Sequence, residues 1–214
     1  MNFFEYPITY SLIAVNVIFS LIGFSNAVFI DKTIMWPYRI RRNNEHYRFI
    51  SSGFIHADFL HLAFNMFTFY FFGRAVEQYF SEYGLGGSAS YLALYVLGLV
   101  VADVPSYLKH KDDYNYKALG ASGAVSAVVF ACILFNPWGT IYLYAIPMPF
   151  IVYAVLYLVY CIYMSKRNIG NVNHDAHLWG SLFGLLFTFI LISIISPQIL
   201  PSILDELMHP HFGR

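Results

Sequence analysis

Three stretches of this apolar chain carry polar side chains whose types and spacing suit chemistry. Ser122 stands among small residues in Lys117-Ala-Leu-Gly-Ala-Ser-Gly-Ala-Val-Ser126. His177 opens His177-Leu-Trp-Gly180-Ser-Leu-Phe-Gly184, which a helix folds so that His177, Gly180 and Gly184 share a face. His61 and Asn65 are four residues apart and also share a helix face. A hydroxyl held beside an imidazole is the nucleophile and base arrangement of acyl-transfer enzymes. Each residue alone has a plainer reading: a lone serine in a membrane helix usually bonds a preceding carbonyl, a histidine near a helix end usually marks an interface, and Gly-x-x-x-Gly is common packing grammar. The combination argues for chemistry. The glycine face that carries His177 lets that helix come close to the small residues around Ser122.

The elements that must position these residues are membrane helices. Hydrophobic residues make up 58% of the 214, charged residues 11%, and mean hydropathy is +0.57, too apolar for an ordinary soluble domain. Six apolar segments suit spans of roughly 20 residues, at about 8–30, 59–80, 88–108, 118–135, 149–164 and 176–195. The expected fold is all-α and polytopic, one domain over 1–214, with a short tail at 197–214 that Pro197 and Pro201 set off as a surface helix. Pro147-Met-Pro149 cannot continue a regular helix. The first span lacks a basic leader and a cleavage-like site, and is expected to be retained. Twelve basic and twelve acidic residues balance, so nothing points to nucleic acid as a partner. Cys132 and Cys161 lie in apolar runs without metal-type spacing and read as packing residues, and no metal or cofactor is suggested.

The helices carrying Asn65, Ser122 and His177 all enter from the side of the first, third and fifth loops, so their polar groups can meet at one depth. The first loop, 31–58, mixes Trp36, Tyr38 and Tyr47 with Arg39, Arg41, Arg42 and Arg48, as a segment at headgroup level does. Odd-numbered loops hold Lys32, Arg39, Arg41, Arg42, Arg48, Lys109, Lys111, Lys117, Lys166 and Arg167, against Arg74 and Arg214 on the terminal side. By the positive-inside rule alone, the odd loops face the cytoplasm.

Taken together, Tyr47-Arg48, His56, His61-x-x-x-Asn65, Glu77, Gly120-Ala-Ser122-Gly123 and His177-x-x-Gly180-x-x-x-Gly184 resemble the rhomboid intramembrane serine proteases in their compact six-helix bacterial form. The resemblance implies that Ser122 is the nucleophile and His177 the base of a dyad, with His61, Asn65 and the Ser122 backbone N–H as oxyanion hole. It also implies structural roles for Tyr47, Arg48, His56 and Glu77, with Glu77 as the acidic partner of Arg48, and close packing at Gly120, Gly123, Gly180 and Gly184. Asp175 is two residues from His177, about 200° round a helix, and cannot orient its ring. His174 is expected in the preceding loop. One departure stands out: the family often has a tyrosine four residues after the nucleophile, packed on the catalytic histidine, where this chain has Ser126.

The expected activity is cleavage of peptide bonds in or near transmembrane segments of membrane-protein substrates within the lipid bilayer. The expected place is a bacterial inner membrane, with the site open to the extracytoplasmic side, against the charge count. First-loop arginines tied to acidic partners or lipid headgroups would reconcile the two. The rival readings are a catalytically inactive relative that binds membrane clients, and a small transporter, which would need charges near the bilayer midplane.

Overall fold

Proline at the first helical position, where its missing N–H does no harm, starts α1 (Pro7–Ser25). The computed structural model describes residues 5–143, 145–167 and 173–210. The expected first span, 8–30, is broken in two: Asn26 adopts an extended backbone and its side chain accepts the Phe29 N–H at 3.0 Å, capping a new helix, α2 (Ala27–Thr33). The first loop continues as α3 (Pro37–Asn43), α4 (Arg48–Ser51) and a 3₁₀ turn, Ser52–Phe54. Then come α5 (Phe59–Glu82), α6 (Gly87–His110) and α7 (Ser122–Phe135).

The all-α expectation needs one amendment. The proline-bearing segment after α7 forms a small antiparallel hairpin, β1 (Thr140–Leu143) against β2 (Ile146–Pro149), with Thr140 opposite Pro149. The chain then runs through α8 (Phe150–Arg167), α9 (His174–Ile195) and α10 (Leu200–Met208). Pro201 sits in the first turn of α10, where its missing N–H does no harm. Residues 168–172 of the fifth loop and the chain end with Arg214 lie outside the described residues.

Among the described residues, α1, α6, α8 and α9 are both long and apolar enough to cross a membrane. At 24 residues α5 has the length without the apolarity, and α7 has the apolarity in only 14 residues, roughly 21 Å. Every residue of α7 from Gly123 to Ile133 is buried, as an all-round apolar helix must be. It is the central post, packed on α5, α6, α8 and α9. Too short to cross the roughly 30 Å hydrocarbon layer, it begins inside the bundle, and its first residue is Ser122.

Candidate active site

The backbone that delivers Ser122 is not helical, although the apolar run suggested a span starting at 118. Ala118 and Met35 exchange backbone hydrogen bonds at 3.0 Å, and the Gly120 N–H donates to the Ser52 carbonyl at 3.0 Å. Gly120 has φ +120, and a Cβ there would lie 2.7 Å from His61 Cε1. Only glycine fits both the dihedral and the ring. The turn it makes starts α7 at Ser122, and the first intrahelical bond runs from the Val125 N–H to Ala121 O at 2.9 Å. The Ser122 N–H therefore has no carbonyl within its own helix and stands at the positive end of the helix dipole.

His177 is set by the start of α9. Asn173 caps that helix, accepting the Ala176 N–H and the Ser106 hydroxyl, each at 3.1 Å. The glycine face then closes on α7: a Cβ on Gly180 would lie 2.2 Å from Gly123 O, and one on Gly184 2.0 Å from Ala127 O. The support that Ser126 cannot itself give comes from α8. The Tyr157 ring stacks on the His177 ring, 6.3 Å between centroids and 18° between planes. The Ser126 hydroxyl hydrogen-bonds the Tyr157 hydroxyl at 3.3 Å, so the residue that replaces the expected aromatic holds the aromatic that stands in for it. Position 157 was not singled out in the sequence; its signal is the Tyr153 and Tyr157 pair on one face of α8, rings stacked at 5.4 Å.

His174 is helical, contrary to expectation: it is the first residue of α9, 7% exposed, with its ring edge-on to His177 at 5.9 Å. Asp175 turns away, as anticipated, bonding the Ser165 hydroxyl and pairing with Lys109 at 3.5 Å. It ties α9 to α8 and α6.

On α5, Asp58 caps the helix by accepting the His61 N–H at 2.8 Å. Asn65, buried, gives one amide N–H to the His61 carbonyl at 3.1 Å. His56 lies just before this helix. Its Nδ1 meets the Ser20 hydroxyl at 2.9 Å, its Nε2 lies 3.5 Å from the Ala121 N–H, and its ring packs edge-on to His61 at 5.0 Å. Burial, with His61 beside it, pushes the His56 pKa down to about 3, so the ring is neutral and Nε2 is free to accept. His56 thus fastens the end of the first loop to α1 and to the residue before Ser122.

Ser122, His177, His61 and Asn65 line one cavity of about 1100 Å³, together with Ser126 and Tyr157. Asp58, Lys109 and Lys117 line it too, so it opens toward the polar loops and admits water. Ser122 is half-buried in its wall.

The supporting residues are sorted differently from expectation. Arg48, 1% exposed, pairs with Glu45 at 2.5 Å and donates to the Asp31 and Ile34 carbonyls at 2.8 Å each. Hydrogen bonds from Asn43 and Arg48 outweigh the upward pull of burial and hold the Glu45 carboxyl below its usual range. Glu77 is not its partner. That carboxylate accepts the Ile8 and Thr9 N–H groups at 2.9 Å and the Thr9 hydroxyl at 2.7 Å, satisfying the first turn of α1. Tyr47 is exposed; its hydroxyl donates to Lys32 O at 3.1 Å. Cys132 is buried within α7, while Cys161 of α8 lies beside the two α9 histidines.

A family model described as Rhomboid domain matches residues 43–194. RHOMBOID-like protein 12, mitochondrial, of Arabidopsis thaliana is 30% identical over 142 residues, 62% of this chain and 42% of that protein. The rhomboid-type protein YdcA of Bacillus subtilis (strain 168) is 28% identical over 189 residues, 86% of this chain and 88% of that protein. Rhomboid-like protein 11, chloroplastic, of Arabidopsis thaliana is 30% identical over 155 residues, covering 68% and 52%. The chain spans about half the length of these plant relatives and most of the bacterial one.

Proposed function

We propose that this chain, which belongs to the rhomboid family and is an integral multi-pass membrane protein, is a serine endopeptidase that cuts peptide bonds in or near transmembrane segments of other membrane proteins. The observation that carries the reading is the single cavity, within the bundle yet open to the polar loops, that gathers Ser122, His177, His61 and Asn65. The Ser122 hydroxyl attacks the scissile carbonyl while His177 takes its proton. The oxyanion accepts hydrogen bonds from the Ser122 backbone N–H, from Asn65 and from His61. His177 then gives the proton to the leaving amine, and water, activated by the same ring, hydrolyses the acyl-serine. Two residues suffice, because the stack on Tyr157 orients the ring where a third acidic member would otherwise do so.

The substrate helix must unwind locally to expose its carbonyl, since an intact helix keeps its backbone bonded to itself. The reading places the site on the extracytoplasmic side of a bacterial inner membrane. The test is cleavage of a single-span substrate in detergent by the wild type and by Ser122→Ala and His177→Ala. Loss of cleavage in both variants is expected. Equal cleavage by wild type and Ser122→Ala ends the protease reading, and substrate binding without cleavage by any form favours a client-binding relative.

A further inference from the structure

We infer that the chain carries an inhibitory site for a zinc-like divalent cation, formed by Cys161 of α8 with His174 and His177 of α9. The sulfur and the imidazole nitrogens of these residues all lie within 4.8 Å of one another. One thiol and two imidazoles are the donors zinc takes, at about 2.3 Å for sulfur and 2.0–2.1 Å for nitrogen. A tetrahedral site with those bonds has donor separations of about 3.3–3.7 Å, so a closure of about an ångström by side-chain rotation completes it. His174 and His177 are one helical turn apart and present their rings to the same side, while Cys161 comes from the neighbouring helix.

A second observation points to the same place. His174 is 7% exposed, and its Nδ1 is buried without a hydrogen-bond partner among the described residues. Its ring is held by edge-on packing against Tyr160 at 5.4 Å and His177 at 5.9 Å, and among the described residues no group bonds that nitrogen. Both histidines line the water-accessible cavity, which supplies an entry path, and three protein donors leave a fourth position for solvent.

The consequence for activity rests on His177 being the base. A neutral imidazole has one nitrogen lone pair and one N–H. Zinc on that lone pair leaves only the N–H, whichever nitrogen is taken, and the ring can no longer accept the Ser122 proton. Binding releases the Cys161 thiol proton to water, transfers no electron, and is reversed by a chelator.

The test adds ZnCl₂ to the purified full chain cleaving a single-span substrate, and loads CoCl₂ into Ser122→Ala as a spectroscopic probe. Zinc should inhibit the wild type and EDTA should restore it. Relative to each variant's own metal-free rate, Cys161→Ala and His174→Gln should need at least ~10-fold more zinc for the same inhibition, since even residues behind a metal's ligands change affinity about 10–100-fold. Ser122→Ala with cobalt should show a thiolate-to-cobalt charge-transfer band that vanishes when Cys161→Ala is added. Equal zinc inhibition of Cys161→Ala and wild type, or a cobalt spectrum indifferent to Cys161, overturns the site. A Cys161-dependent band in Ser122→Ala, alongside a wild type that itself never cleaves substrate, upholds the metal site and sinks the protease reading, so the two fail separately.

Discussion

On the protease reading, Ser122 would contribute two groups from one position, a hydroxyl to attack and a backbone N–H to stabilise, because α7 begins there. Asn65 has the opposite character. Its one contribution is an amide N–H, the other being bonded to His61 O at 3.1 Å. Asn65→Ala should therefore lower kcat about 10²–10³-fold with little change in KM, the usual effect of removing one oxyanion donor. Steady-state cleavage of a single-span peptide measures it, and a change confined to KM would remove Asn65 from the oxyanion hole. His56 makes a prediction of a different kind, about stability. Its pKa is about 3 in the fold against an ordinary 6.5, so between those values the unfolded chain binds a proton that the folded chain refuses. Its contribution is intact above about pH 6.5 and is lost as pH falls toward 3. Protonation would also point an N–H at the Ala121 N–H. Unfolding in detergent at pH 7 and pH 4 should show a larger loss for wild type than for His56→Gln, which does not titrate. Parallel losses would mean other groups govern the acid response.

At the scale of elements, α7, α8 and α9 form one device. The α7 and α9 backbones meet at Gly180 and Gly184, where a Cβ would fall 2.2 Å and 2.0 Å from carbonyl oxygens of α7. Gly180→Val should destabilise the bundle by about 1–3 kcal/mol through overpacking and should reduce cleavage by moving His177 off Ser122. A thermal unfolding midpoint equal to wild type would refute the close contact. Tyr157 belongs to α8, the least buried of the long apolar helices, yet its ring stacks on His177 of α9. Movement of α8 to admit a substrate would therefore also move the support of His177. Tyr157→Ala should lower kcat and Tyr157→Phe should largely restore it, since the stack needs the ring and the Ser126 bond only trims its position. Equal loss in both variants would assign the effect to the hydroxyl. These elements were unequally legible in the sequence. Hydropathy is a local signal, and it placed α5, α6 and α9 within about two residues of their observed ends. The start of α7 was misread because Gly120 turns in response to Met35 and Ser52, distant in sequence. Arg48 was assigned Glu77 where Glu45, three residues away, is its partner, because a resemblance carries positions and not contacts. The Tyr157 stack was illegible for the same reason: Ser126 and Tyr157 are 31 residues apart and meet only when α7 packs on α8.

For the whole molecule, charge and fold bear on which way the bundle faces. On the six-span reading of the sequence, the chain returns to the side from which it started, so both termini would share a compartment and the cavity would open on the other. The charge count puts the cavity in the cytoplasm, because ten basic residues lie in loops on its side. The fold shows where much of that charge goes. Arg39 pairs with Asp31 at 3.2 Å, Lys117 with Asp31 at 3.6 Å and Lys109 with Asp175 at 3.5 Å; Arg41 bonds Asp112, and Arg48 is sealed beneath the first loop with Glu45. Lys117 also rests 3.7 Å from the centre of the Trp36 ring. These are the internal fastenings of a structured cap formed by the first and third loops, which brings Met35 to Ala118 and so places Ser122. Charge fixed by the needs of the site is a weaker guide to orientation than charge left free in short loops, where the positive-inside bias acts. A reporter at the C-terminus separates the two. With the cavity on the extracytoplasmic side, a C-terminal green fluorescent protein should be bright and a C-terminal alkaline phosphatase inactive. An active phosphatase would invert the topology, return authority to the charge count, and require substrates to be cut from the cytoplasmic side.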